Sequence, residues 1–272
     1  MSLLDWEKIR IKTPETMIII IKTVINISNP FYTINIPYYN RLYRQPCRLS
    51  NFTLKGTIIK DPNRKLPEAL LLFFVIFFPR NTGEYSLYSM EEIGYSLFWR
   101  LPAAILILLL LAPGREKLLS FRPKRDLLTL AVTLPLLCIT GFLVSLAASV
   151  TGFLPPPAME PPETGAGWLA AISLSVSIGF LEEAFFRLYL PLRIIEMKQD
   201  QTGRTAAIAH IVSGVIFALC HAYEGPWGIA NALLAAFILS AAYIKSASFS
   251  GIVLAHGFYN VLVFLSTAIF RE

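Results

Sequence analysis

Two adjacent glutamates and an arginine, Glu182-Glu183-Ala-Phe-Phe-Arg187, stand inside an otherwise apolar run. Two further apolar runs carry the same anomaly, as Phe217-Ala-Leu-Cys-His221 and as His256-Gly-Phe-Tyr-Asn260. An ionisable group deep in an apolar helix costs about 2.5–3.5 kcal/mol on insertion scales, so each one calls for a partner, a cavity or a function. Glu183 and Arg187 are four apart with the acid first, the better order for a helical ion pair. Ordering the bundle is the main task expected of them. Glu182 lies about 100° further round the helix, has no in-helix cation at the right spacing, and is the candidate proton acceptor. His256 and Asn260, also four apart, present an imidazole and an amide on one face. A carboxylate, two imidazoles and an amide in one bundle are the groups needed to activate a water and stabilise an oxyanion.

Each residue taken alone has a structural reading. A lone intramembrane histidine often serves as a hydrogen-bonding group between helices. His210, with Ser213 as its sole polar neighbour at helical spacing, is assigned to that class. Arg100 and Arg193, near the ends of their runs, are expected to snorkel to the interface. Tyr223-Glu224-Gly225-Pro226 reads as a tight turn whose glutamate faces water. The three motifs together weigh more, because three separate structural explanations are needed where one site suffices.

The elements that must position these groups are membrane helices. Of 272 residues, 55% are hydrophobic and 15% charged, against about 25% charged in an ordinary soluble domain. Residues 1–65 hold 11 Lys and Arg against 4 Asp and Glu, and the remaining 207 hold 13 against 14. The net charge of +6 therefore belongs to the N-terminal part and to short loops, which is a membrane-topology pattern and not a phosphate-binding one. Nucleic acid is not an expected partner; membrane lipid is. Three cysteines, Cys47, Cys138 and Cys220, build no disulfide framework and no CxxC metal clip.

Apolar runs follow at Leu66–Phe78, Leu97–Ala112, Leu127–Val150, Trp168–Ile195, Thr205–Ala222, Trp227–Ile244 and Phe249–Phe270. An all-α, polytopic transmembrane helix bundle of about seven spans is expected, with six or eight allowed. No secretory signal precedes the first long apolar run, so insertion by the chain's own spans is expected. Basic loops at 113–126, 196–204 and near Lys245 alternate with acidic ones at 79–96 and 151–167, which places the N-terminus in the cytoplasm of a multi-pass protein, expected in the cell membrane. Three parts are expected: a cytoplasmic segment 1–65, three spans in 66–150, and a four-span catalytic bundle in 151–272.

In order and on separate helices, Glu182-Glu183-x-x-x-Arg187, Phe217-x-x-x-His221 and His256-x-x-x-Asn260 resemble the motifs of the CAAX prenyl endopeptidase and bacteriocin-processing (CPBP, abortive-infection) family of membrane proteases. The resemblance covers about residues 167–265. It implies an intramembrane endopeptidase acting on a peptide or prenylated protein, in which Glu182 with His221 activates water. His256 and Asn260 would then stabilise the oxyanion, while Glu183 and Arg187 hold the first motif helix in register. A zinc ion is possible if Glu182, His221 and His256 converge as ligands, although no HExxH is present; the same residues serve a metal-free mechanism, which is slightly favoured. Two other readings stand beside it. One is a non-proteolytic family member with a binding or immunity role. The other is a proton-coupled transporter, which would show paired helix breaks and repeat symmetry that the sequence lacks. An aspartate dyad is disfavoured because Asp5, Asp61, Asp126 and Asp200 all lie outside the expected spans. A serine dyad is disfavoured because Ser250 precedes His256 by six residues, about 240° round the same helix. Convergence itself requires strong tilt, a later start to the fifth span, or a loop dipping inward near Gly225-Pro226-Trp227.

Overall fold

The computed structural model describes residues 121–153, 162–198 and 203–269, with short helical pieces between 67 and 111. Every regular element among them is helical, and the chain is an all-α membrane bundle. The elements are α1 (Pro123–Val150), α2 (Gly165–Glu183), a π-helical turn (Ala184–Tyr189), α3 (Leu190–Lys198), α4 (Gly203–Cys220), a 3₁₀ turn (Ala222–Glu224), α5 (Gly225–Ser246) and α6 (Phe249–Ile269). Four stretches are long and apolar enough to cross a membrane: Pro123–Val150, Gly165–Met197, Ala222–Ser246 and Phe249–Ser266. Arg204–Cys220 is apolar but shorter. Segment 1–65 lies outside the described residues, as do Arg100 and most of the first expected span.

Local sequence explains the helix starts. Pro123 occupies the first turn of α1, where its missing N–H costs nothing. Thr164 caps α2, its hydroxyl accepting from the Gly167 amide at 3.1 Å. α1 is inverted relative to a water-soluble helix: Leu128, Val132, Leu136, Ile139 and Leu146 are exposed, while Asp126, Thr129 and Thr133 are buried. Where lipid is as apolar as leucine, polar and small residues make the helix contacts. Asp126 thus corrects the expectation that every aspartate lies outside the spans, because it sits in the first turn of α1 at 1% exposure.

α6 packs against both α2 and α1, α4 against α5, and α1 also against α5. α4 also packs against the π turn that follows α2, and the motif-bearing segments approach one another around that turn. Between α5 and α6 the chain turns within two residues, with Ala247 in the left-handed region at φ 49°.

Candidate active site

Two glycines let α2 and α6 touch. A Cβ on Gly179 would lie 3.0 Å from the Gly257 amide nitrogen and 3.2 Å from its Cα; a Cβ on Gly257 would lie 3.3 Å from the Val176 Cα. Small residues at a helix crossing permit this backbone approach. One turn from Gly179 stand Glu182 and Glu183, and beside Gly257 stands His256. The crossing thus brings the first and third motifs together. His256 Nδ1 donates to Glu183 Oε1 at 2.8 Å, the carboxylate being an acceptor only. That bond turns Nε2 toward Glu182 Oε2, 3.6 Å away. This is within ion-pair range and beyond a direct hydrogen bond. Glu183 is fully buried, whereas the Glu182 side chain keeps 15% of its surface accessible.

Arg187 completes the group from behind. Its Nε lies 3.2 Å from Glu183 Oε2, with both side chains at zero exposure. The contact is an ion pair off hydrogen-bond alignment, and Nη1 and Nη2 have no acceptor among the described residues. The π turn starts immediately after Glu183 and contains Arg187. A π turn bonds i to i+5, so it rotates Arg187 away from the ideal i, i+4 stacking. Ser213 of α4 holds this turn, donating to the Phe186 carbonyl at 2.6 Å. The guanidinium lies 5.0 Å over the Phe217 ring, a cation–π contact strengthened by burial.

Phe217 also connects the second motif to the rest. Its ring is 4.6 Å from the His221 ring and 6.1 Å from the His256 ring. His221 falls just past the end of α4, at the entry to the 3₁₀ turn, and Gly225, Pro226 and Trp227 form the first turn of α5. His221 Nδ1 lies 2.9 Å from the Phe217 carbonyl. A carbonyl only accepts, so Nδ1 carries the hydrogen and Nε2 is left as an acceptor. Among the described residues His221 forms no hydrogen bond or ion pair with either glutamate; the imidazole brought against both is His256. Asn260, one turn beyond His256, reaches the Ser175 carbonyl at 3.5 Å.

Several neighbours differ from their sequence-based expectations. Glu224 does not simply face water: it is half-buried, and its side chain lies against Gly228 in the first turn of α5. Arg193 does not snorkel; Nη2 bonds Glu68 at 2.8 Å, Nη1 bonds Glu196 at 2.9 Å, and the cation lies over Tyr189. His210 is buried, and neither of its nitrogens has a hydrogen-bond partner among the described residues. Gly179, Gly257, Ser213 and Phe217 belong to the site's support. Only a search for small residues one turn from the charged ones would have singled out the glycines.

Glu182, His221 and His256 do not assemble as zinc ligands. Among the described residues no three His, Cys, Asp or Glu side chains are grouped closely enough to hold a metal ion. The His221 Nδ1 is used by its own helix, and the His256 Nδ1 by Glu183. The donor set does not fit the ion as arranged.

Residues 164–262 match the family described as Rce1-like, type II CAAX prenyl endopeptidase. The match takes in α2, the π turn, α3, α4, α5, most of α6 and all six motif residues, and it excludes α1. No curated protein and no solved structure matches the chain.

Proposed function

We propose that this chain, whose segment 164–262 belongs to the type II CAAX prenyl endopeptidase family, is an intramembrane endopeptidase that uses Glu182 to activate a water. The observation that carries the reading is the line Arg187–Glu183–His256–Glu182, a buried relay ending in one accessible carboxylate. A water beside Glu182 gives up its proton to the carboxylate as its oxygen attacks the scissile carbonyl. His256, oriented by Glu183 as a third group orients a catalytic base, donates from Nε2 to the developing oxyanion in its doubly protonated form, the form in which both ring nitrogens are donors, and the Asn260 amide adds a second donor. Arg187 balances Glu183 so that the latter keeps its grip on the imidazole. As the tetrahedral intermediate collapses the C–N bond breaks, and the proton taken up by Glu182 is delivered to the leaving amine, with His221, whose Nε2 is free to accept, relaying it. The substrate is a peptide or a prenylated protein entering from the bilayer, and membrane lipid is the surrounding partner.

The test is cleavage of a fluorogenic peptide panel, including a farnesylated CAAX peptide, by detergent-purified protein alongside Glu182→Ala and His221→Ala. Loss of general acid–base help lowers the rate by about 10²–10⁴-fold, and both variants are expected to fall in that range. Equal turnover in the wild type and both variants overturns the assignment.

A further inference from the structure

We propose that Asp126 is a positioning residue: from α1, outside the family-matched segment, it latches the α5–α6 corner and thereby sets the register in which α6 presents His256 and Asn260 to α2. The carboxylate is 1% exposed and is met by donors from two distant parts of the chain. Ser250 Oγ donates to Oδ2 at 2.7 Å, Ser248 Oγ donates to Oδ1, the Arg122 amide donates at 2.7 Å and Arg125 Nε at 3.3 Å. Four donors fill the lone-pair sites of one carboxylate. This makes Asp126 a connector between helices and leaves it no capacity for proton transfer.

The corner that it grips cannot relax freely. Ala247 is held at φ 49°, a conformation its Cβ disfavours, and Ser246 Oγ accepts from the Ser248 amide at 3.1 Å to close the turn. Ser248 Oγ in turn accepts from the Gly251 amide at 3.1 Å and so starts α6. At Gly251 the α6 backbone presses on α1: a Cβ there would lie 2.8 Å from both the Asp126 carbonyl oxygen and the Thr129 Cβ. His256 follows Ser248 by eight residues of continuous helix, about 12 Å along the axis. A rigid helix transmits any roll or slide at its start to that imidazole. Because Ser250 is committed to Asp126, this geometry also accounts for its absence from the catalytic group.

The functional half of this inference rests on the endopeptidase reading; the geometric half does not. The experiment therefore has two arms on the full chain in detergent. In the first, kcat and KM per folded molecule are measured for Asp126→Ala, Asp126→Asn and Leu137→Ala, the last a buried α1 residue about three helical turns beyond Asp126. Asp126→Ala is expected to lower kcat about tenfold with KM unchanged, Asp126→Asn to recover part of it through its remaining acceptor, and Leu137→Ala to lower the melting temperature while leaving kcat intact. In the second, spin labels at Ser173 of α2 and Phe258 of α6, both exposed, report the interhelix distance, which is expected to shift or broaden in both Asp126 variants. An unchanged distance overturns the latch. So does a kcat within twofold of wild type, whatever the distance does. If the wild type cleaves no peptide, the endopeptidase reading fails, and the distance arm alone decides whether Asp126 sets α6.

Discussion

A single methyl group at residue 179 should slow the proposed peptide cleavage without unfolding the protein. The Cβ of Gly179→Ala would stand 3.0 Å from the Gly257 nitrogen, 3.2 Å from its Cα and 3.4 Å from the His256 carbonyl carbon. Favourable non-bonded separation is about 3.5–4.0 Å, and all three obstacles are backbone, so no side chain can swing away. α6 must retreat by about 0.5 Å to restore ordinary contact. The Glu183–His256 bond starts at 2.8 Å, so the same retreat carries it beyond the usual limit of about 3.2 Å. Misplacement of a catalytic group by about 1 Å costs about 10²-fold in rate. Half that displacement predicts about tenfold, accompanied by a packing cost of about 1–3 kcal/mol. The assay pairs kcat per folded molecule with a detergent melting curve, with Gly165→Ala as control because nothing lies within 4 Å of its Cβ position. If Gly179→Ala retains wild-type kcat, or if Gly165→Ala slows the proposed cleavage equally, close approach of α2 and α6 is not what assembles the site.

Further consequences follow from the buried charges and their supports. Glu183→Gln leaves the Arg187 cation uncompensated at zero exposure and should cost about 3–5 kcal/mol in detergent unfolding; adding Arg187→Met should recover most of that loss while activity stays low. Ser213→Ala removes the donor on the Phe186 carbonyl, which should cost about 1 kcal/mol of stability and lower kcat by displacing Arg187. Because the candidate ligands do not gather, turnover should persist after dialysis against a zinc chelator, read with the same fluorogenic peptide; abolition by chelator and recovery with zinc would reverse that expectation.

The candidate residues are more legible in the sequence than the contacts between them. Glu182, Glu183, Arg187, His221 and His256 stand out because charge in apolar helices is costly, and that signal needs no knowledge of packing. The Glu183–Arg187 pair follows from i, i+4 spacing, but that rule presumes α geometry, and the π turn at Ala184–Tyr189 leaves the pair close yet misaligned. Which imidazole meets the glutamates depends on where α2 and α6 cross. Gly179 and Gly257 decide this, and neither is marked by composition. Arg193 at a span end looks like an interfacial cation until Glu68, more than a hundred residues earlier, is brought to it. Asp126 was misplaced for a related reason: a carboxylate at the start of an apolar run reads as a loop residue, and its partners Ser248 and Ser250 lie at the far end of the chain. Local periodicity carries helices and their faces; pairings across the bundle require the fold.

In the proposed mechanism Glu182 from α2 and His256 from α6 act as one unit. A double-mutant cycle in kcat with Glu182→Gln, His256→Gln and the combined variant measures it directly, with folded fraction checked for each protein. Residues of one catalytic unit are strongly non-additive, so the double variant is expected to be no slower than the slower single one. Multiplied losses, or full activity in either single variant, would contradict the claim.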